Sequence, residues 1–187
     1  MIADFTTPES DQATALALEY ISLNGTASPA NISEYFTYYS NLKVVFHDTL
    51  QNNYSQVNTA ILVRIDADLG CTVDIDPEVK QRWLPTGLGL YYTPVYEPAH
   101  TWISSMGRSK YLKPVYASLQ DSGQHDLGVQ WFDENKDFYH PVSATSIEEI
   151  LGITEVTVPE AHKELSKFES LVENLESKLS HFSQMLQ

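Results

Sequence analysis

From Ala13 onward the apolar positions return at helical intervals, with Ala13, Leu16, Ala17 and Tyr20 on one face of a first helix. Three helix starts share a local grammar: Thr7-Pro8-Glu9, Ser28-Pro29-Ala30 and Asp76-Pro77-Glu78. In each, a hydroxyl or carboxylate can accept a hydrogen bond from an unpaired first-turn amide. Proline then takes the first helical position, where its missing N–H is harmless. The same apolar spacing predicts further helices near 40–51, 55–67, 77–84, 97–106, 113–120, 124–133 and 144–151. No sustained period-two pattern competes with them. Short helices joined by short turns predict an all-α fold of antiparallel hairpins, stacked as an armadillo- or HEAT-like superhelix. Sequence repeats are not legible, so periodicity alone does not establish a solenoid. Pro85, Gly87, Gly89, Pro94 and Pro98 interrupt the helical pattern ahead of residue 108.

The pattern changes near the end of the chain. Gly152 to Val158 is rich in β-branched residues and precedes Pro159, which ends the helical body and starts an extended connector. Beyond it Leu165, Phe168, Val172, Leu175, Leu179, Phe182 and Leu186 alternate spacings of 3 and 4, the seam of a heptad helix. The expected organisation is therefore a helical domain over 1–158 and an amphipathic helix, a candidate coiled coil, over 159–187. A solitary helix packed back onto the body would use a similar stripe. In a parallel self-pair Glu164 would face Glu169 of the other chain, so the flanking charges do not reward that arrangement.

Composition narrows the function classes. A chain of 187 residues with 42% hydrophobic content can bury one ordinary core plus an appendage. A formal charge of −14 repels nucleic-acid phosphate and anionic headgroups, so neither nucleic acid nor membrane is an expected partner. Against that acidity, the Lys and Arg residues between Trp83 and Asn135 are Arg108, Lys110 and Lys113, gathered within six positions. The single Cys71 excludes an intramolecular disulfide. The start Met-Ile-Ala-Asp-Phe lacks the basic and apolar regions of a signal peptide, and no run of about 20 apolar residues spans a bilayer. A cytoplasmic location is expected, and the glycosylation-like triplets at Asn24, Asn31 and Asn53 carry little weight.

Candidate chemistry is sparse. Gly107 can close one helix with a left-handed cap and Pro114 favours the start of the next, which would set Arg108 and Lys110 at a hinge facing a helix N-terminus. Two basic residues one apart in a loop are ordinarily solvated surface; at such a hinge a guanidinium can also offer a carboxylate a planar two-point contact and an ammonium a mobile point charge, while Lys113 reads as structural or solvated. The acidic run Asp66, Asp68, Asp74, Asp76 and Glu78 lacks the Gly and bidentate Glu of a calcium loop, and Asp76 has a simpler role as a cap before Pro77. The histidines at 47, 100, 125, 140, 162 and 181 show no metal-ligand spacing, and His140 before Pro141 reads as a packed turn residue. Plentiful aromatic residues, among them Tyr35, Phe36, Tyr38, Tyr39, Tyr91, Tyr92, Trp102, Trp131, Phe132, Phe138 and Tyr139, read as core packing because the basic groove a nucleic acid needs is absent.

The stretch Gly107-Arg108-x-Lys110-Tyr111, followed by Lys136-Asp-Phe-Tyr-His-Pro141, resembles the carboxy-terminal helical domain of leukotriene A4 hydrolase and related fungal zinc aminopeptidases. The resemblance runs from about Ala13 to Gly152 and takes in Leu42 to Phe46 and the run from Glu78 to Trp83. It implies the same superhelical architecture. In that family an Arg and a Lys one residue apart after the Gly help hold the substrate's carboxylate, so it implies that role for Arg108 and Lys110. The whole enzymes are metalloaminopeptidases or epoxide hydrolases. This chain has neither the His-Glu-x-x-His motif nor the Gly-x-Met-Glu-Asn motif, so no zinc and no catalysis are expected from it alone. Zinc belongs to a separate or missing catalytic domain. Two functional readings follow: a channel-wall domain that recognises a peptide carboxylate beside a catalytic aminopeptidase domain, or a stand-alone adaptor that associates with another protein through its surface and heptad tail.

Overall fold

A computed structural model describes residues 7–153. The heptad seam from Leu165 to Leu186, and the whole 159–187 segment, lie outside the described residues. The chain divides into two units after Leu151, and every helix below belongs to the first. In order these are α1 (Pro8–Leu23), α2 (Ser40–Asn52), α3 (Thr59–Leu69), α4 (Pro77–Gly89), α5 (Tyr96–Ser105), α6 (Ser109–Asp121), α7 (His125–Asn135) and α8 (Pro141–Leu151), with short 3-10 turns between them. The fold is all-α, and no strand occurs among the described residues. None of the described helices is long and apolar enough to cross a membrane.

Local chemistry starts the helices where the sequence indicates. Thr7 and Ser10 form a reciprocal capping box at α1, with Ser10 N–H donating to Thr7 Oγ1 at 3.2 Å and Thr7 N–H to Ser10 Oγ at 2.8 Å. Asp76 accepts from Glu78 N–H at 2.9 Å and starts α4 at Pro77. The Ser28-Pro29 signal opens only a turn and the 3-10 helix Ile32–Thr37, because Asn31 there makes no side-chain cap bond. The expected 55–67 helix splits into the 3-10 turn Tyr54–Gln56 and α3, which Asn58 caps through Ile61 N–H at 3.1 Å. His140 is an exposed turn residue and not a packed one; its Nδ1 accepts from Val142 N–H at 3.3 Å at the start of α8.

Hydrogen bonds between elements show that α2, α4, α6 and α8 run side by side in one direction. At one end Ser40 of α2 donates to Asp76 at the start of α4, Lys110 of α6 meets Glu78 of α4, and Ser109 of α6 meets Ser143 of α8. Toward the other end Gln51 of α2 donates to Arg82 and Thr86 of α4, and Ser118 of α6 donates to the Pro85 carbonyl at 2.6 Å. The odd-numbered helices return the chain between them, so α1 lies against α2 and α3, and α5 lies against α6 and α7. The result is a stack of helical hairpins in two layers. Fully buried Ile61, Leu62 and Ile65 of α3 and Trp83, Leu84 and Leu88 of α4 occupy the core. Each such aliphatic side chain stabilises the fold by about 1.5–3 kcal/mol.

Two expectations about helix breakers are corrected. Helix α4 continues through Pro85 to Gly89, and α6 starts at Ser109 and runs through Pro114. A proline inside a helix leaves the carbonyl four residues earlier without its partner. For Pro114 that carbonyl belongs to Lys110, and the Gln81 side-chain amide of α4 donates to it at 3.0 Å. The glycines of α4 allow close packing and do not end the helix. A Cβ on Gly87 would lie 2.7 and 2.8 Å from the two methyl groups of buried Val95. Most of the aromatic residues are core as expected, but Phe36, Tyr39, Tyr91 and Phe138 are exposed.

Candidate functional site

Arg108 occupies the N-cap position of α6 in extended conformation (φ −86°, ψ 121°), and its carbonyl receives Tyr111 N–H at 2.9 Å. Gly107 does not adopt the left-handed conformation expected of it; α5 ends instead at Met106 in extended geometry. The loop is held by Ser143 of α8, whose hydroxyl lies 2.7 Å from Ser109 Oγ and donates to the Gly107 carbonyl at 3.4 Å. The Arg108 side chain is exposed and makes no hydrogen bond or ion pair among the described residues. A guanidinium has donors only, so it cannot cap the N–H groups of its own helix start, and its donors are unengaged among the described residues.

Lys110, two positions on, has a different environment. Its ammonium donates to Glu78 Oε1 at 2.6 Å and lies 5.1 Å from the centre of the Tyr111 ring. Glu78 is in the first turn of α4, a favourable place for an anion because the helix dipole is positive there. Tyr111 hydroxyl donates to the same Oε1 at 3.0 Å, and Arg82 Nη1 donates to Oε2 at 3.3 Å. The Lys110 hydrogen bond, seconded by that of Tyr111 and opposed by partial desolvation, holds the Glu78 carboxyl below its ordinary range. Arg82 is itself balanced by Asp48 at 2.5 Å. The two expected site residues thus share the first turn of α6, yet no common acceptor joins them among the described residues. A residue not expected at the site, Glu78, stands 32 positions from Lys110 in sequence, where the chain marks it as a helix start, part of an acidic run and the head of the Glu78 to Trp83 stretch. Its closeness to the helix start after Asp76-Pro77 was the available signal.

The remaining acidic residues of that run are caps and ion-pair partners. Asp66 accepts from Thr72 N–H at 2.8 Å, Thr72 Oγ1 at 2.7 Å and Tyr92 hydroxyl at 2.8 Å, while Trp83 Nε1 donates to Thr72 Oγ1 at 2.9 Å. Asp74 pairs with Lys43 at 2.9 Å and Asp68 accepts from Tyr20 hydroxyl at 3.1 Å. Among the described residues no group of three or more His, Cys, Asp or Glu side chains is arranged to hold a metal ion. Sequence reasoning also missed a buried cluster in which Tyr35 hydroxyl lies 3.0 Å from His47 Nε2 and 3.9 Å from Cys71 Sγ. Burial pushes the Cys71 thiol up and the His47 imidazole down to about 3, so both are neutral near pH 7 and the thiol is no nucleophile.

These features define a helical-hairpin domain whose solvent-facing cations sit at the head of one helix, built without a metal-binding cluster among the described residues. The model of the family "Leukotriene A4 hydrolase, C-terminal" matches residues 38–151, more than half of the chain, and the chain belongs to that family. It is 27% identical over 135 residues to leucine aminopeptidase 2 of Phaeosphaeria nodorum, covering 71% of this chain and 22% of that protein. Its identity to a leukotriene A-4 hydrolase homolog of Botryotinia fuckeliana is 27% over 148 residues, 79% of this chain and 22% of that one. A shorter match of 74 residues to leucine aminopeptidase 2 of Aspergillus oryzae reaches 34% identity, covering 40% of this chain and 12% of the relative. The chain therefore spans about a fifth or less of the length of these relatives. No solved structure matches it.

Proposed function

We propose that this chain is the non-catalytic helical domain of a leukotriene A4 hydrolase-like zinc metalloaminopeptidase, forming a wall of the substrate channel and presenting Arg108, with Lys110 beside it, to a peptide's terminal carboxylate. The observation that carries this reading is the exposed guanidinium of Arg108, unpaired among the described residues, at the N-terminus of α6, where N–H groups and a cation together favour an anion. In this reading zinc and the hydrolytic chemistry belong to another polypeptide or segment, because the sequence carries no His-Glu-x-x-His motif. In this reading the residues of this chain bind and orient the peptide.

A surface suited to a covering domain adjoins this site. Tyr39, Val73 and Ile75 are 82%, 79% and 90% exposed, and the Ser40–Asp76 and Lys43–Asp74 contacts bring their segments together at the same end of the α2, α4 and α6 row. In this reading those exposed apolar side chains are covered by the partner. The same surface supports the second reading, a protein-interaction adaptor, which in addition uses the heptad tail.

The test is a chimaera in which this chain replaces the matching region of the Phaeosphaeria leucine aminopeptidase 2. Arg108→Ala should lower kcat/KM for free-carboxylate peptides roughly tenfold or more, while amide-capped peptides are spared. Lys110→Ala should act in the same direction more mildly. Equal losses on both peptide types would assign Arg108 to structure and favour the adaptor.

A further inference from the structure

The carboxylate-site reading leaves one residue unused. A carboxylate, that of Glu78, already rests on one of the two cations. It is not a loose surface group: Lys110 and Tyr111 of α6 hold one oxygen and Arg82 holds the other. Tyr111 is buried and packs against Trp102 with ring centres 5.7 Å apart, and Arg82 is anchored by Asp48 and by the Glu78 carbonyl at 3.1 Å. The Lys110 arm of this arrangement adds little stability, because Lys110 is more than half exposed and solvent-facing ion pairs contribute little; Tyr111 and Arg82 hold the carboxylate in place.

We propose that Glu78 is a specificity-determining residue, a resident carboxylate that takes part of the Lys110 ammonium and sets the site to accept one incoming carboxylate and discriminate against a dianion. This rests on the reading of Arg108 and Lys110 as a carboxylate site. Arg108 and Lys110 bring two positive charges and Glu78 returns one negative, which leaves one positive charge among the three; Asp76, whose Oδ1 accepts the Glu78 N–H at 2.9 Å, adds a further negative charge at the start of α4 that also opposes a dianion, while Arg82 is answered by Asp48. An ammonium has three donors, and Glu78 is the acceptor of one. The others, with the Arg108 fork that no described residue engages, suffice for one ligand carboxylate. A second ligand charge nearby would meet Glu78, which cannot swing away without giving up its donors from Tyr111 and Arg82.

The test titrates the full chain with acetyl-Ala-Ala-Ala, its amide, and acetyl-Ala-Ala-Asp, following the backbone amide resonances of residues 109–112. The wild-type chain should bind the Asp-ended dianion no more tightly than the Ala-ended monoanion. Glu78→Gln keeps the shape of the side chain and removes its charge, and should shift the ratio toward the dianion by roughly fivefold, the effect of one nearby charge in a half-exposed site. Glu78→Asp and Tyr111→Phe, which retain the charge, should keep the wild-type ratio. Arg108→Ala should abolish binding of both acids, and the amide should bind in none of the chains. A several-fold dianion preference in the wild-type chain would overturn the inference without any variant. An unchanged ratio in Glu78→Gln, with binding still dependent on Arg108, would overturn the role of Glu78 and leave the carboxylate site standing. Absence of Arg108-dependent binding in every chain would overturn both.

Discussion

His47 offers a direct test of how burial sets the pH range over which this domain is stable. Its ring is 1% exposed, lies 3.0 Å from the Tyr35 hydroxyl, and faces Trp83 with ring centres 5.9 Å apart. Burial, reinforced by the nearby Arg82 and Lys43 charges and opposed by Asp74 and Asp76, brings its pKa down to about 3. An unfolded His titrates near 6.5. The folded value is the lower, so the unfolded chain binds the extra proton as pH falls below about 6.5. The stabilisation from a neutral buried ring is therefore fully present above that value and declines as pH drops toward 3. At pH 5.0 the loss is about 1.5 pH units at 1.36 kcal/mol each, or about 2 kcal/mol. The folded value lies far enough below 5.0 that the unfolded value alone sets this figure. His47→Gln removes the titration while leaving an amide that can still meet Tyr35. Urea unfolding at pH 7.5 and 5.0, followed by tryptophan fluorescence, should show the wild-type chain losing about 2 kcal/mol more than the variant between the two pH values. Equal losses in both chains would refute the assignment of His47 as a buried neutral group.

Two further outcomes are expected. Gly87→Ala should destabilise the fold by about 1–2 kcal/mol despite alanine's better helix propensity, because the new methyl meets both Val95 methyl groups in a closed core. Thermal melts should show the penalty vanishing in a Val95→Ala background, and its persistence there would disprove the contact. For the tail, Val172→Glu with Leu175→Glu places charge on the heptad seam. Analytical ultracentrifugation should show an associated chain dissociating, or an unchanged monomer with a lower Tm if the helix packs on the body; dimers surviving both substitutions would remove the seam from assembly.

What the sequence by itself determined is what neighbours along the chain can decide. Thr7 and Asp76 announce helix starts because a cap and the amide it satisfies are two or three residues apart. The apolar spacing of Ala13, Leu16, Ala17 and Tyr20 marks a face that is indeed buried. The motif around Gly107 and Tyr139 carried the family. The breakers and the site charges were decided elsewhere. Pro114 is tolerated because Gln81 of another helix reaches the Lys110 carbonyl, and Gly87 is required by Val95 across a turn. Lys110 and Arg108 look equivalent in sequence, two cations in one loop. Only the packing of α4 against α6, which sets Glu78 2.6 Å from one of them, separates a committed ammonium from a guanidinium unpaired among the described residues. The physical reason is range: propensity and capping act within one helical turn, whereas the partner of Gly87 lies eight residues on in the next turn, and the partners of the orphaned Lys110 carbonyl and of the Lys110 charge come from a helix about 30 residues away, meetings that are properties of the packed core.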